Sequence, residues 1–188
     1  PQEDYAVGQC GPVRAIRLPG QRLELLVAPE DAAAVWQTLS KHCTPVGSGR
    51  WEWLEIQAGI PMVTAGTQEQ FVPQMANMEL IGGVSFTKGC YMGQETVARA
   101  KYRGANNRAL FVLSGTAATQ VASGDTLEIQ LGDNWRRSGL VLNAWQQQGQ
   151  VWLTAVLPKD TEADARFRLK LEEGSSLGLQ PLPYALID

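Results

Sequence analysis

The chain has 188 residues, 44% of them hydrophobic, and a formal net charge of −3. That is room for one or two small domains with a genuine core. No run of about 18 apolar residues exists, so a membrane-spanning helix is excluded. No basic segment leading into an apolar stretch opens the chain, so no signal peptide is expected.

Val13 to Leu18 and Leu23 to Val27 read as two strands, with Pro19-Gly20-Gln21 as the turn between them. Pro29 opens a helix whose first turn holds Glu30 and Asp31, where acids suit the helix dipole. Ala32, Val35, Trp36 and Leu39 continue it at helical spacing. His42, the single histidine, falls at the end of that pattern and is expected to be solvated. Thr44 to Gly49 reads as a loop. A second helix starts near Arg50, with Trp51, Leu54, Glu55 and Ala58 on one face, and Gly59 and Pro61 end it. Trp51 is either a core indole or a ring platform for a ligand.

Ile81 to Phe86 is an apolar, strand-like run. Gly82-Gly83 within it suggests close backbone packing near a ligand cavity. Next come Lys88-Gly89-Cys90-Tyr91-Met92-Gly93-Gln94-Glu95 and a helical pattern, Thr96 to Lys101. Cys90 would lie at or just before the first turn of that helix. Free N–H groups there, together with Lys88, favour an anion. Three cysteines (Cys10, Cys43, Cys90) without a CxxC spacing argue against a disulfide framework and a zinc finger, and fit a reducing cytoplasm. Between Lys88 and Arg108, the cations Lys88, Arg99, Lys101, Arg103 and Arg108 face only Glu95, giving +4 locally on an acidic chain. Such a stripe suggests one anionic partner rather than general nucleic-acid affinity. Gly104 to Asn107 breaks the helix.

From Arg108 the period changes to two. Ala109 to Leu113, Thr126 to Leu131, Gly139 to Trp145, Gln150 to Val156 and Phe167 to Leu171 read as strands separated by turn clusters. Short strands at this density, without a helix, indicate a small β-barrel or sandwich. Trp135, Trp145 and Trp152 belong to its core or rim. No P-loop, dinucleotide fingerprint, Ser-His-Asp set or metal-ligand cluster is present. Glu95 precedes Arg99 by four residues, a spacing that serves an ion pair on a helix face as readily as a catalytic carboxylate.

The segment Lys88 to Glu95, continued by Val97-Ala98-Arg99, resembles the signature of the YgfZ family of folate-binding proteins, relatives of the glycine-cleavage aminomethyltransferase. The resemblance extends to Phe71-Val-Pro-Gln74, Asn77, Gly82-Gly83, Arg99 to Asn106, Asn134 to Arg137 and Pro181 to Tyr184. It implies an α+β, aminomethyltransferase-like fold. A partial α+β (ferredoxin-like) folate-binding region over residues 1–107 would precede a C-terminal β-barrel over 108–188. The chain begins at Pro1 rather than Met, so the N-terminal portion of the family fold is expected to be missing.

The resemblance implies tetrahydrofolate, or a one-carbon derivative of it, as cofactor. Cys90 would be the functional thiol, with Lys88 and Glu95 beside it in the chemistry. Trp51, Gln57, Tyr91, Gln94, Arg99, Lys101 and Arg103 would meet the folate. Relatives of the aminomethyltransferase carry a pterin-binding glutamate where this chain has Gln57, an amide that cannot offer a charged, doubly accepting edge. Arg99, Lys101 and Arg103 are open to three readings: solvated, holding the glutamate tail of a folate, or meeting an RNA phosphate. The implied role is support of iron–sulfur-cluster assembly and repair, and thereby of tRNA modification. Implied partners are folate and iron–sulfur client enzymes, including those that thiolate tRNA; direct tRNA binding stays open, and no membrane is expected. The alternatives are a folate-dependent aminomethyltransferase and a non-catalytic tRNA-binding module.

Overall fold

A computed structural model describes residues 2–104 and 106–186. The chain divides into two compact units, residues 1–48 and 49–188.

In the first unit, β1 (Val7–Cys10), β2 (Val13–Leu18) and β3 (Arg22–Val27) form an antiparallel meander. β2 and β3 follow the sequence pattern; β1, four residues of mixed polarity, carries no readable period. Helix α1 (Pro29–Leu39) begins with Pro at its first turn, as expected, but buries none of its residues. Trp36 is 62% exposed and Leu39 38%. Arg22 is the one buried residue among those described in this unit.

The second unit is built on a closed barrel with strand order β4-β7-β6-β5-β8-β9. Its strands are β4 (Arg108–Thr116), β5 (Thr126–Leu131), β6 (Asn134–Gln147), β7 (Gln150–Pro158), β8 (Arg166–Leu169) and β9 (Glu172–Gln180). β9 escapes a reading by period because Glu172-Glu173-Gly174-Ser175-Ser176 offers few apolar positions, yet its pairing with β4 closes the barrel. Gly115 is needed at that closure: a Cβ there would collide with the Ser176 carbonyl. Phe111, Leu113, Leu127, Val141, Leu153, Phe167 and Leu177 fill the interior.

β4 and β7 are buried on both faces, so their apolar runs are continuous rather than alternating. The outward-facing Leu110, Leu142 and Val156 lie under Phe71, Met75, Ala76, Met78 and Leu182. A 3-10 turn, Pro73–Ala76, carries this cover and ends at Asn77 in the left-handed conformation, which Asn tolerates better than most residues. Asn77 then acts as an extra length of strand. Its Oδ1 accepts from the Leu110 N–H at 3.1 Å and its Nδ2 donates to the Leu110 carbonyl at 2.9 Å. Tyr184 of the C-terminal tail donates to the Gly59 carbonyl at 2.6 Å, and Asn77 Nδ2 reaches its hydroxyl at 3.3 Å. Burial raises the Tyr184 pKa above its ordinary 10.0, an effect the Asn77 bond opposes.

Ile81 to Phe86 forms turns and irregular chain rather than the strand its apolar content suggests. Gly82 turns left-handed at φ +75, and the Gly83 N–H donates to the Met78 carbonyl at 2.7 Å. Two glycines in six residues remove the side chains that would hold a pleat. Met78 crowds Gly83 so closely that a Cβ would meet its methyl carbon at 2.5 Å.

Candidate functional site

Helix α2 (Ser48–Gln57) presents Trp51 and Gln57. Its buried side centres on Ile56, 0% exposed, and on Trp53 rather than on Trp51. The Trp53 ring lies 6.0 Å from Trp145 and 5.9 Å from Trp152, a cross-strand pair on the barrel wall. The Arg50 guanidinium covers Trp53 at 3.7 Å. Tyr184 holds the chain just past the helix at Gly59. Trp51 is left 39% exposed on a helix held to the barrel wall through Trp53 and, just past its end, to the C-terminal tail through Gly59. Trp51 and Gln57 stand six positions apart, and at about 3.6 residues per turn they leave the helix on different sides.

The motif forms an exposed loop ahead of α3 (Gln94–Tyr102). Gly93 is the N-cap at φ +90, a conformation that requires glycine. Gln94 closes the turn: its N–H donates to the Tyr91 carbonyl at 3.3 Å and its Oε1 accepts from the Tyr91 N–H at 3.4 Å. Cys90 lies three residues ahead of the N-cap and so outside the first turn, where the free N–H groups of α3 are concentrated. Its thiol is exposed, as are those of Cys10 and Cys43. Met92, next in the loop, is 100% exposed.

Behind the loop is a cavity of about 250 Å³ whose wall includes Phe86, Lys88, Tyr91, Gln94, Glu95 and Tyr102. Lys88, Tyr91, Gln94 and Glu95 are thus brought together, with Cys90 between two of them in the chain. Phe86 and Tyr102 meet edge to face, centroids 6.1 Å apart. Neither was singled out from the sequence. The readable signal was an aromatic on each side of the motif. Lys101 Nζ lies 4.0 Å above the Phe86 ring and 2.8 Å from Glu79. Lys101 is therefore already paired with an acid. Arg99 and Arg103 are exposed on and just past α3, and among the described residues Glu95 and Arg99 form no ion pair. Trp51, Gln57, Arg99 and Arg103 do not line this cavity.

Aromatic faces beside a carboxylate, an amide and an ammonium suit a flat heteroaromatic ring with polar edges. Tyr91 and Phe86 put aromatic rings in its wall, Glu95 and Gln94 carry acceptors, and Lys88 carries positive charge. These residues fit a reduced folate, which would supply a one-carbon carrier.

Comparison with solved structures places the fold among the aminomethyltransferase-like proteins. The glycine cleavage system aminomethyltransferase T of Bartonella henselae superposes with a TM-score of 0.58, covering 92% of this chain and 49% of that one at 14% identity. Within that class the chain is a relative of the YgfZ proteins. Residues 106–173 match the family model for the YgfZ β-barrel domain. The tRNA-modifying protein YgfZ of Pectobacterium atrosepticum is 46% identical over 90% of this chain and 51% of its own length. The protein of the same name from Yersinia pestis is 44% identical over 100% of this chain and 58% of its own length. The chain thus spans little more than half the length of these relatives. No helix among the described residues is long and apolar enough to cross a membrane.

Proposed function

We propose that this chain is the thiol-bearing part of a folate-binding protein that supports iron–sulfur cluster assembly and repair, and through it tRNA modification, in the cytoplasm. The observation that carries the reading is the exposed Cys90 in a loop whose flanking residues, Lys88 and Tyr91, line an aromatic cavity. The relatives' name, tRNA-modifying protein, supports the outcome, and three free, exposed cysteines fit a reducing compartment. Residues 1–107 form the folate-binding region in this reading and 108–188 the barrel. Tyr91, Gln94 and Glu95 hold the ring, and Arg99 and Arg103, on and just past α3, meet negative charge. Cys90 handles sulfur or iron beside the bound folate for client enzymes that thiolate tRNA.

Calorimetric titration of the chain with tetrahydrofolate tests this. Binding is expected, and Tyr91→Ala should weaken it about tenfold, within the ~1–3 kcal/mol that ring stacking contributes elsewhere. Cys90→Ala should leave affinity unchanged while failing to restore tRNA thiolation in cells lacking the protein. Absence of folate binding, with tight and steeply salt-dependent tRNA binding instead, would replace this reading with an RNA-binding module.

A further inference from the structure

A cavity of about 390 Å³ opens where the covering segment meets the barrel, with Phe71, Met75, Arg108, Arg137, Ser138 and Leu140 in its wall. The pairing of β5 with β6 passes from Glu128↔Arg137 to Leu127↔Gly139, so Ser138 is an extra residue in β6. Such a bulge bends its strand and re-aims the side chains beside it. The Ser138 carbonyl accepts a hydrogen bond from Arg108 Nη2. That bond holds the Arg108 guanidinium at the wall, against the residue that follows Arg137. Arg108 is partly buried, but its Nε and Nη1 make no bond to a described residue and are not sealed from water. Arg137 is exposed. Among the described residues neither guanidinium forms an ion pair, and the wall of this cavity holds no carboxylate. The neighbouring cavity, about 510 Å³, shares Arg108, Arg137 and Ser138 but adds Arg136 together with Asp160 and Glu162. There two acids stand against three cations. On the first side two cations face none, beside apolar side chains that weaken solvent screening.

We propose that this cavity binds a small phosphate monoester carried on an aromatic ring. Such a group brings close to two negative charges at neutral pH and three acceptor oxygens. It matches two guanidiniums, each with N–H groups left over to grip an oxyanion in a fork. The ring packs among Phe71, Met75 and Leu140. A sulfate of the same shape brings half the charge and leaves one guanidinium uncompensated. A run of RNA phosphodiesters, singly charged and spaced along a strand, would engage Arg136 as well. The volume lies within the roughly 300–1,000 Å³ of small-ligand sites. No residue is shared with the cavity behind the motif loop, so the proposal does not depend on the folate reading.

Calorimetry on the whole chain tests it with phenyl phosphate, phenyl sulfate and inorganic phosphate. Phenyl phosphate should bind tenfold or more tightly than either of the others, which lack the second charge and the ring respectively. Arg137→Gln should weaken phenyl phosphate at least tenfold and erase its advantage over phenyl sulfate. Phe71→Leu should weaken phenyl phosphate and leave inorganic phosphate unchanged, which keeps the proposal testable if an arginine variant does not fold. Arg136→Gln, across in the neighbouring cavity, should change phenyl phosphate binding less than twofold. No binding at millimolar probe, or phenyl sulfate binding equally well, overturns the proposal. So does an equal loss from Arg136→Gln and Arg137→Gln, which would reduce the cluster to a diffuse positive surface. A single-stranded RNA that binds more tightly than phenyl phosphate, with the loss spread over all three arginines, would overturn it in favour of a polyanion surface.

Discussion

Leu26 in the meander β1–β3 is 50% exposed, whereas Leu153 in the barrel is 0%. Both belong to antiparallel sheets of similar strand chemistry. The meander has one helix beside it and buries no apolar side chain, while the barrel closes on itself and is also covered from outside by Phe71 to Met78. An apolar residue stabilises a fold only to the extent that its surface leaves water. The same residue type therefore carries very different stability in the two units, and the sites discussed above are all built on the one with its own core.

The largest effect should come from emptying the barrel. Leu153→Ala removes a fully buried side chain and should cost about 2–5 kcal/mol in denaturant unfolding, against less than ~0.5 kcal/mol for Leu26→Ala at its exposed position. Equal costs would show that the meander has a core of its own. Asn77→Ala comes next. It strands both polar groups of Leu110 under the covering segment and should cost about 1–3 kcal/mol. Amide exchange should then accelerate along β4 while β5 and β8 stay protected, which separates loss of the cover from loss of the barrel.

The smallest effects are set by pH and sharpen the comparison at the barrel's ends. The Glu172 carboxylate accepts from the Ala118 N–H at 2.7 Å, the Thr119 N–H at 2.9 Å and the Thr119 hydroxyl. These bonds lower its pKa below 4.5, the Ala118 bond most. A lowered carboxylate stabilises fully above its unfolded value and loses that contribution as pH falls below 4.5 through its native pKa. Glu172→Gln should flatten this acid limb of the thermal-stability profile. Tyr184 works at the opposite end. Its pKa is raised above 10.0 by burial, so its contribution is whole below that value and fades as pH rises through the native one. Tyr184→Phe should remove that alkaline loss and cost about 0.5–1.5 kcal/mol at neutral pH, the worth of a typical hydrogen bond. An unchanged alkaline limb would show that the tail does not latch Gly59.

The sequence by itself determined the strands β2 to β5, β7 and β8, the Gly139 to Trp145 part of β6, and the helices α1 to α3, because each carries a hydrophobic period or a punctuating Gly or Pro within its own few residues. It also determined the motif loop, since Lys88, Tyr91, Gln94 and Glu95 are neighbours in the chain as well as around one cavity. Only the tertiary structure decided that β9 closes the barrel through Ser176 and Leu177, that Ile81 to Phe86 is not a strand, and that Lys101 turns to Glu79. It alone brought Phe86 to Tyr102 and Arg108 to the Ser138 carbonyl. Local pattern records what a residue prefers. Closure, ion pairing and a side chain's bond to another strand depend on groups far along the chain, whose approach no local preference encodes.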